Sequence, residues 1–457
     1  MRRFIRNLAV ALTLASPFAS QAQDLEEAVI PISQTQETQV LTDVNDNNES
    51  LELRLTVDFP LGDFSVSQEM LTDIGDSSNS LLQFGMSFLQ PEDDGVLGVL
   101  ERTGYLGLDT YATLILATIN HEFGHLFQYR NIGFNDNHLD LSEIYFLDGS
   151  IHRNELIQYS HFNNRGDRNA ILGEEAMAVS GSGLLRNSLL AERILEDSIQ
   201  NGLSLQDSLS YIIYHSDITR MVLSNINQEV NEGDYENDAD VYSRELQINT
   251  SIHGPRNPDL SQGEMDEIIT EVRGIIQNNE SPRDSQLGVA ILNGLDPHSI
   301  AAAYNIINYL ITGDDDPIAL PQWVPQINGY LGVPGPILEL KMNYPFRDGI
   351  ISGGIRGGYF PEASFAAEFG FRNISVGENG VEISGRIEAG LRKDGSILFD
   401  ETIVGVGGSV EIEMPMTQNS DMIMRYTFEP KRFWSPNTFY RQDNAHFLSL
   451  GVHWDSE

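Results

Sequence analysis

The stretch DTYATLILATINHEFGHLFQYR, Asp109 to Arg130, decides how the first half of the chain is read. Ala112, Leu116, Ile119, Phe123 and Phe127 recur at helical spacing on one face, and Leu114, Thr118, His121 and His125 lie near another. The segment is therefore predicted to be one helix, apolar on most sides and so buried. Asp109 or Thr110 would cap its start, and Asn131-Ile132-Gly133 would end it. His121 and His125 are four residues apart, so their rings point the same way, as two ligands of one metal ion require. Glu122 stands beside the first, where its carboxylate can take a proton from metal-activated water. Gly124 costs about 1 kcal/mol of helix propensity relative to Ala, a hint that another group approaches closely there. Two core histidines satisfied by backbone or carboxylate partners are the plainer alternative.

Helical periods extend on either side of this stretch, from about residue 80 to 250. A helix is expected over Ala170–Val179, another over Glu264–Gln277, and a third over Pro297–Leu310, started by Asp296-Pro297 in N-cap and N1 positions. Ahead of them Leu51, Leu53, Leu55, Val57 and Phe59 alternate with polar residues, as a half-buried strand does. After the Pro/Gly punctuation between Pro321 and Pro336 the period changes to two. Val381, Ile383, Ile387, Ala389 and Leu391 alternate with Glu382, Ser384, Arg386, Glu388 and Arg392. Phe365–Phe371, Ile403–Ile412, Met422–Phe428 and Phe447–Val452 repeat the pattern, giving an antiparallel region of roughly seven or eight strands. The fold class expected is α+β: a mainly helical domain over 51–255 with an N-terminal strand, a helical and Pro/Gly-rich connection over 256–335, and an antiparallel sheet or small barrel-like domain over 336–457. A transmembrane barrel shows comparable alternation, but Glu and Arg occupy many positions on one face, and the chain's last residues are Trp454-Asp-Ser-Glu457. A soluble sheet is the preferred expectation, with outer-membrane association through this region left open.

Composition narrows the function classes. The 457 residues carry 67 acidic against 27 basic side chains, a formal net charge of -40. Such a surface repels nucleic acid, whose recognition depends on Lys and Arg neutralising phosphates. Acidic turns at Asp43 to Asn48 and at Asp314-Asp315-Asp316 read as solvated turns rather than calcium loops. The absence of cysteine excludes disulfides, a Cys nucleophile and a Cys-ligated metal. Arg2, Arg3 and Arg6 precede an apolar run from Leu8 to Leu14, and Ser20-Gln21-Ala22 offers a cleavage site, so residues 1–22 are read as a signal peptide. That run falls short of the roughly 20 apolar residues of a spanning helix, as do all later ones. Residues 23–50 form an acidic leader without period, read as flexible. The expected location is outside the cytoplasm: periplasmic, outer-membrane associated or secreted.

Asn120-His121-Glu122-Phe123-Gly124-His125 resembles the active-site helix of the zincin metallopeptidases. The resemblance covers one helix and identifies no single family. It implies Zn2+ held by His121 and His125, Glu122 as general base and later proton donor, and a peptide or protein substrate. A third His six residues after the second is absent, because position 131 is Asn. The pattern is thus similar to the gluzincins, in which a downstream Glu on another helix completes the site. Glu175, in Glu175-x-x-Ala178, shares a face with Ile171, Leu172 and Val179 and is the leading candidate. Glu174 and Glu236 are its rivals, the latter in a Glu-x-x-Ala-Asp step similar to that of CaaX-type zinc proteases, which carry transmembrane helices. His138, Tyr145, His152, Tyr159 and His161 are weaker candidates for an oxyanion partner. His215, His253, His298, His446 and His453 have no metal-ligand spacing, and Gly181-Ser182-Gly183 lacks the spacing of a nucleophile elbow. Two alternatives stand beside the peptidase: a cell-envelope structural or binding protein with a structural or inactive metal site, and a zinc hydrolase of a non-peptide envelope substrate.

Overall fold

The computed structural model describes residues 51–60, 67–91, 96–131, 138–139, 144–147, 150–153, 157–158, 174–226, 281–320, 323–332, 335–358, 364–377, 380–394, 401–430 and 444–455. Its helices are α1 (Gln68–Ser87), α2 (Val96–Asn131), α3 (Glu174–Asn201), α4 (Leu205–His215), α5 (Asp217–Ile226), α6 (Ser281–Gly294) and α7 (Pro297–Thr312). The expected helix at Glu264–Gln277 lies outside the described residues. Local chemistry sets several helix ends. Ser67 caps α1 by accepting from the Met70 N–H, and Ser204 caps α4 by accepting from that of Asp207. Asp296 caps α7 with Pro297 in its first turn, and Gly313 closes it at φ 81°, a left-handed conformation that favours glycine.

The strands are β1 (Glu52–Pro60), β2 (His138–Leu139), β3 (Ile144–Leu147), β4 (Ser150–Arg153), β5 (Ile157–Gln158), β6 (Gln326–Gly332), β7 (Gly335–Phe346), β8 (Gly349–Gly358), β9 (Ser364–Val376), β10 (Val381–Asp394), β11 (Glu401–Pro415), β12 (Ser420–Glu429) and β13 (Ala445–Asp455). β2 with β5 and β3 with β4 make two small ribbons. The other nine form one antiparallel sheet in the order β1-β13-β12-β11-β10-β9-β8-β7-β6. The architecture is α+β, with the C-terminal meander at the periodicity the sequence shows. Two differences from the sequence reading concern boundaries. β1 joins the C-terminal sheet, pairing along its whole length with β13 from Glu52↔Asp455 to Pro60↔Phe447, and the sheet begins at Gln326 inside the expected connection.

The apolar core lies among the helices and beneath β6. Met177, Leu184 and Leu185 of α3 pack with Ile218, Val222, Val289, Tyr330 and Leu331. A second cluster joins Ala117 of α2 to Leu190, Leu195, Tyr211, Tyr214 and Ala302. Where the rest of the sheet meets α1 and α3, the contact is ionic. Asp73 of α1 holds Arg425 of β12 at 2.9 Å and Arg54 of β1 at 3.3 Å. Glu69 of α1 pairs with Arg386 of β10 at 2.7 Å, and Glu192 and Glu196 of α3 each bind Lys341 of β7 at 3.0 Å. Arg356 of β8 bonds Glu388 of β10 at 2.6 Å. Glu69, Glu196 and Arg386 are half-buried and the others buried, and they compensate one another, which is what permits charges in an interior.

The Glu/Arg face of the sheet, read from the sequence as a sign of solubility, is therefore its covered face. The sheet is also curved. Arg54 on β1 reaches Glu411 and Glu413 on β11 although two strands intervene. In a flat sheet β1 and β7 would stand about 34 Å apart, yet both engage the joined pair α1 and α3, which Arg193 and Asp73 link at 3.6 Å. The sheet curls around these two helices, concave and charged inside. Among the described residues no helix is long and apolar enough to cross a membrane.

Candidate metal centre

α2 carries the motif to the middle of the helical layer. His121, Glu122 and His125 are 1%, 7% and 6% exposed. Helical spacing brings the two imidazoles together edge to face, with ring centres 4.8 Å apart and planes at 76°. Two glycines let α3 approach them. A Cβ on Gly124 would stand 2.5 Å from the Ser182 carbonyl oxygen, so the close approach hinted at by this glycine is to the backbone of α3. A Cβ on Gly183 would stand 2.6 Å from His121 Nε2 and 2.7 Å from His125 Nε2. The space in front of both ring nitrogens exists because position 183 has no side chain.

Hydrogen bonds fix the orientation of each ring. His121 Nδ1 lies 2.9 Å from Asp217 Oδ2 at the start of α5, and His125 Nδ1 lies 2.7 Å from the Val179 carbonyl oxygen. A carbonyl and a carboxylate accept, so each Nδ1 carries the proton and donates, leaving each Nε2 with its lone pair. Those two atoms face each other at 3.1 Å. Lone pairs at that distance repel unless a cation or a proton lies between them. Two imidazole nitrogens on a tetrahedral zinc, each about 2.05 Å from it, stand roughly 3.3 Å apart. Ring type and spacing are thus those of a cluster that could hold a metal ion through Nε2. The Asp217–His121 contact is the carboxylate–histidine support that metal-bound imidazoles commonly have.

Asp217 is itself held on several sides. Asn187 Nδ2 donates to its Oδ2 at 2.8 Å and Arg220 to its Oδ1 at 2.6 Å. Burial alone would raise its pKa, but its interactions with His121, followed by those with Arg220, outweigh that and hold the carboxyl well below its ordinary range. Sequence reasoning missed Asp217, Asn187 and the role of Gly183. A signal for the last was present: Gly181-Ser182-Gly183 is an unusually small triplet for a helix interior. Gly181 serves a second close approach, since its Cβ would meet the Leu331 carbonyl of β6.

The His121, Glu122 and His125 ligand atoms all lie within 4.8 Å of one another. Glu174 and Glu175 open α3, but their side chains lie outside the described residues, and Glu236 lies wholly outside them. Eight residues, about 12 Å of helix axis, separate Glu175 from Gly183. His138, Tyr145 and His152 fall on the short ribbons with undescribed side chains, while Tyr159, His161 and His253 lie outside the described residues. His215 is a satisfied core histidine. Its Nε2 lies 3.0 Å from the Ile327 carbonyl, its Nδ1 3.1 Å from Ser299, and its ring stacks on Tyr211. A second cluster that spacing could not show joins Glu413, Asp421 and His453 from three adjacent strands. Arg54 lies 3.2 Å from Glu413, so a cation already pairs with one carboxylate of that cluster. Comparison with protein-family models, with curated proteins and with solved structures found no match for the chain.

Proposed function

We propose that this chain is a zinc-dependent hydrolase whose substrate is a peptide bond. The observation that carries the reading is the pair of Nε2 atoms 3.1 Å apart, each ring held through Nδ1 by an acceptor. Zinc bound there would supply Lewis acidity, polarising a scissile carbonyl and acidifying water. His121 and His125 would hold the ion, with Asp217 and the Val179 carbonyl keeping their rings aimed. Glu122, adjoining the pair, takes the proton from the attacking water and delivers it to the leaving amine. The third protein ligand expected from the sequence is Glu175, although its place about 12 Å along α3 from Gly183 leaves the Glu122 carboxylate nearer the ring nitrogens.

Elemental analysis of the purified protein should find about one zinc per chain, lost in His121→Ala. Glu122→Gln should keep the metal and lose peptide turnover by at least 100-fold; retained turnover would falsify the role of Glu122. Glu175→Gln should lower zinc content, whereas unchanged content transfers the third position to Glu122, the carboxylate beside the ring nitrogens.

A second reading has a specific observation in its favour. The ring nitrogens are buried and face the Gly183 backbone, as they would if a metal clamped α2 to α3 structurally. Cobalt-loaded protein separates the two. A visible spectrum that shifts on adding a hydroxamate marks an open coordination position, and one that does not marks a closed, structural site.

A further inference from the structure

The outward face of the sheet has the composition that soluble proteins bury. On β7 it presents Leu338, Leu340, Met342, Tyr344 and Phe346, while the residues between them include the paired Glu339 and Lys341 of the covered face. Register carries the same side across to β13, with Leu448, Leu450 and Val452, and to Leu55, Val57 and Phe59 of β1. Over β7 to β13 and β1, the described side chains on this face include no Asp, Glu, Lys or Arg. The one histidine is His446, whose ring Nδ1 lies 2.7 Å from the Tyr426 hydroxyl. This is a chain in which 21% of residues are charged and the net charge is -40. Among the described side chains, charge is kept off one surface and gathered, in pairs, on the other.

We infer that this outward face lies in the hydrocarbon of a lipid bilayer, with acyl chains as its partner. Three properties fit that occupant. The first is area: eight strands about 4.8 Å apart and about 25 Å tall present on the order of 900 Å², beyond the roughly 300–600 Å² of the largest apolar patch on a typical soluble monomer. The second is height. The face of β11 is free of charge from Val404 to Met414, roughly 34 Å along the strand, enough to cross the roughly 30 Å hydrocarbon core of a bilayer. The third is shape. The ion pairs from Arg54 and Lys341 to α1 and α3 curl the sheet around those helices, so the apolar face is convex. Two convex copies would touch along a strip and leave most of the face in water. Lipid conforms to all of it.

The chain has no cysteine, which makes single-cysteine labelling clean. Val406→Cys and Leu450→Cys on the face, and Asp314→Cys on the exposed turn after α7, would each carry an environment-sensitive fluorophore. Full-length protein would be reconstituted from detergent into phosphatidylcholine vesicles containing mid-chain nitroxide lipid. The expected result is blue-shifted emission and strong quenching at 406 and 450 and neither at 314. Val410→Arg, in the middle of the charge-free band at a side chain 46% exposed, should weaken vesicle flotation while keeping the parental circular dichroism. Labels at 406 and 450 that remain in water, or Val410→Arg floating like the parent, overturn the proposal. So does burial of both labels without lipid alongside a doubled mass, which assigns the face to a second copy.

Discussion

At Asp217 one buried carboxylate receives His121 Nδ1 at 2.9 Å, Asn187 at 2.8 Å and Arg220 at 2.6 Å. The arrangement decides which nitrogen of His121 keeps its lone pair, and so whether the ring can bind a cation through Nε2. Asp217→Asn keeps the volume but removes the charge, and its amide can present nitrogen instead of oxygen to the ring. Zinc affinity, measured by competition with a chromophoric chelator, should fall about 10- to 100-fold while the circular dichroism spectrum is unchanged. Equal affinity would remove Asp217 from the centre. His125 makes a useful contrast, because its acceptor is the Val179 main-chain carbonyl, which no side-chain substitution deletes. The two ligands are therefore unequally open to mutation.

The elements show how far sequence could be read. α7 was legible because its signals are local. Asp296 accepts from the Ser299 N–H at 2.9 Å, Pro297 follows in the first turn, and Gly313 ends the helix. Asp296 also accepts from the Ile327 N–H at 2.9 Å and from the Tyr211 hydroxyl at 2.8 Å. Burial would raise its pKa, but His298, whose Nδ1 lies 3.5 Å away, together with His215 and the Ile327 N–H, lowers it to about 2. A carboxyl depressed in the folded state contributes stability above its unfolded pKa, and that contribution is lost as pH falls through the folded one. Roughly 2 kcal/mol should thus disappear between about pH 4 and pH 2. Melting curves of the parent and Asp296→Asn should converge over that interval; a constant gap would exclude Asp296 as the titrating group. The start of α2 was not legible. Asp109 looked like a cap, yet the helix runs back to Val96, and Asp109 sits inside it, 2% exposed, with the Thr113 hydroxyl 3.4 Å away. The strands at Phe365, Val381, Ile403, Met422 and Phe447 were read from period two, since alternation needs only neighbours. Which face is covered was not, because the acids that bury it, Glu69, Asp73, Glu192 and Glu196, come from α1 and α3. Asp217 escaped for the same reason, standing 96 residues from His121.

Across the described strands from β7 to β13 and β1, the usual order of a β-layer is largely reversed: most of the paired charge lies inside and apolar side chains cover the outside. Stability should follow that reversal. Asp73, 1% exposed, holds Arg54 and Arg425 and accepts from the Thr56 hydroxyl at 2.7 Å, binding α1 to both β1 and β12. Asp73→Ala would leave two buried guanidinium groups short of a counter-charge, a change that costs about 3–5 kcal/mol in comparable buried pairs. Asp73→Asn can keep the Thr56 hydrogen bond and should cost less. On the outer face, Val410→Thr changes a side chain 46% exposed and removes no partner, so its effect should stay within about 0.5 kcal/mol. Urea midpoints in one detergent would compare all three variants. An ordinary soluble sandwich gives the opposite ranking, because its apolar face supplies the burial and its charged face is solvated. If Val410→Thr destabilised more than Asp73→Ala, the ion-pair layer would not be what joins the sheet to α1, and the apolar side would have to be packed against protein. The expected ranking leaves the aliphatic face with almost no part in holding the fold together, so that its composition has to be accounted for by what it touches outside the chain.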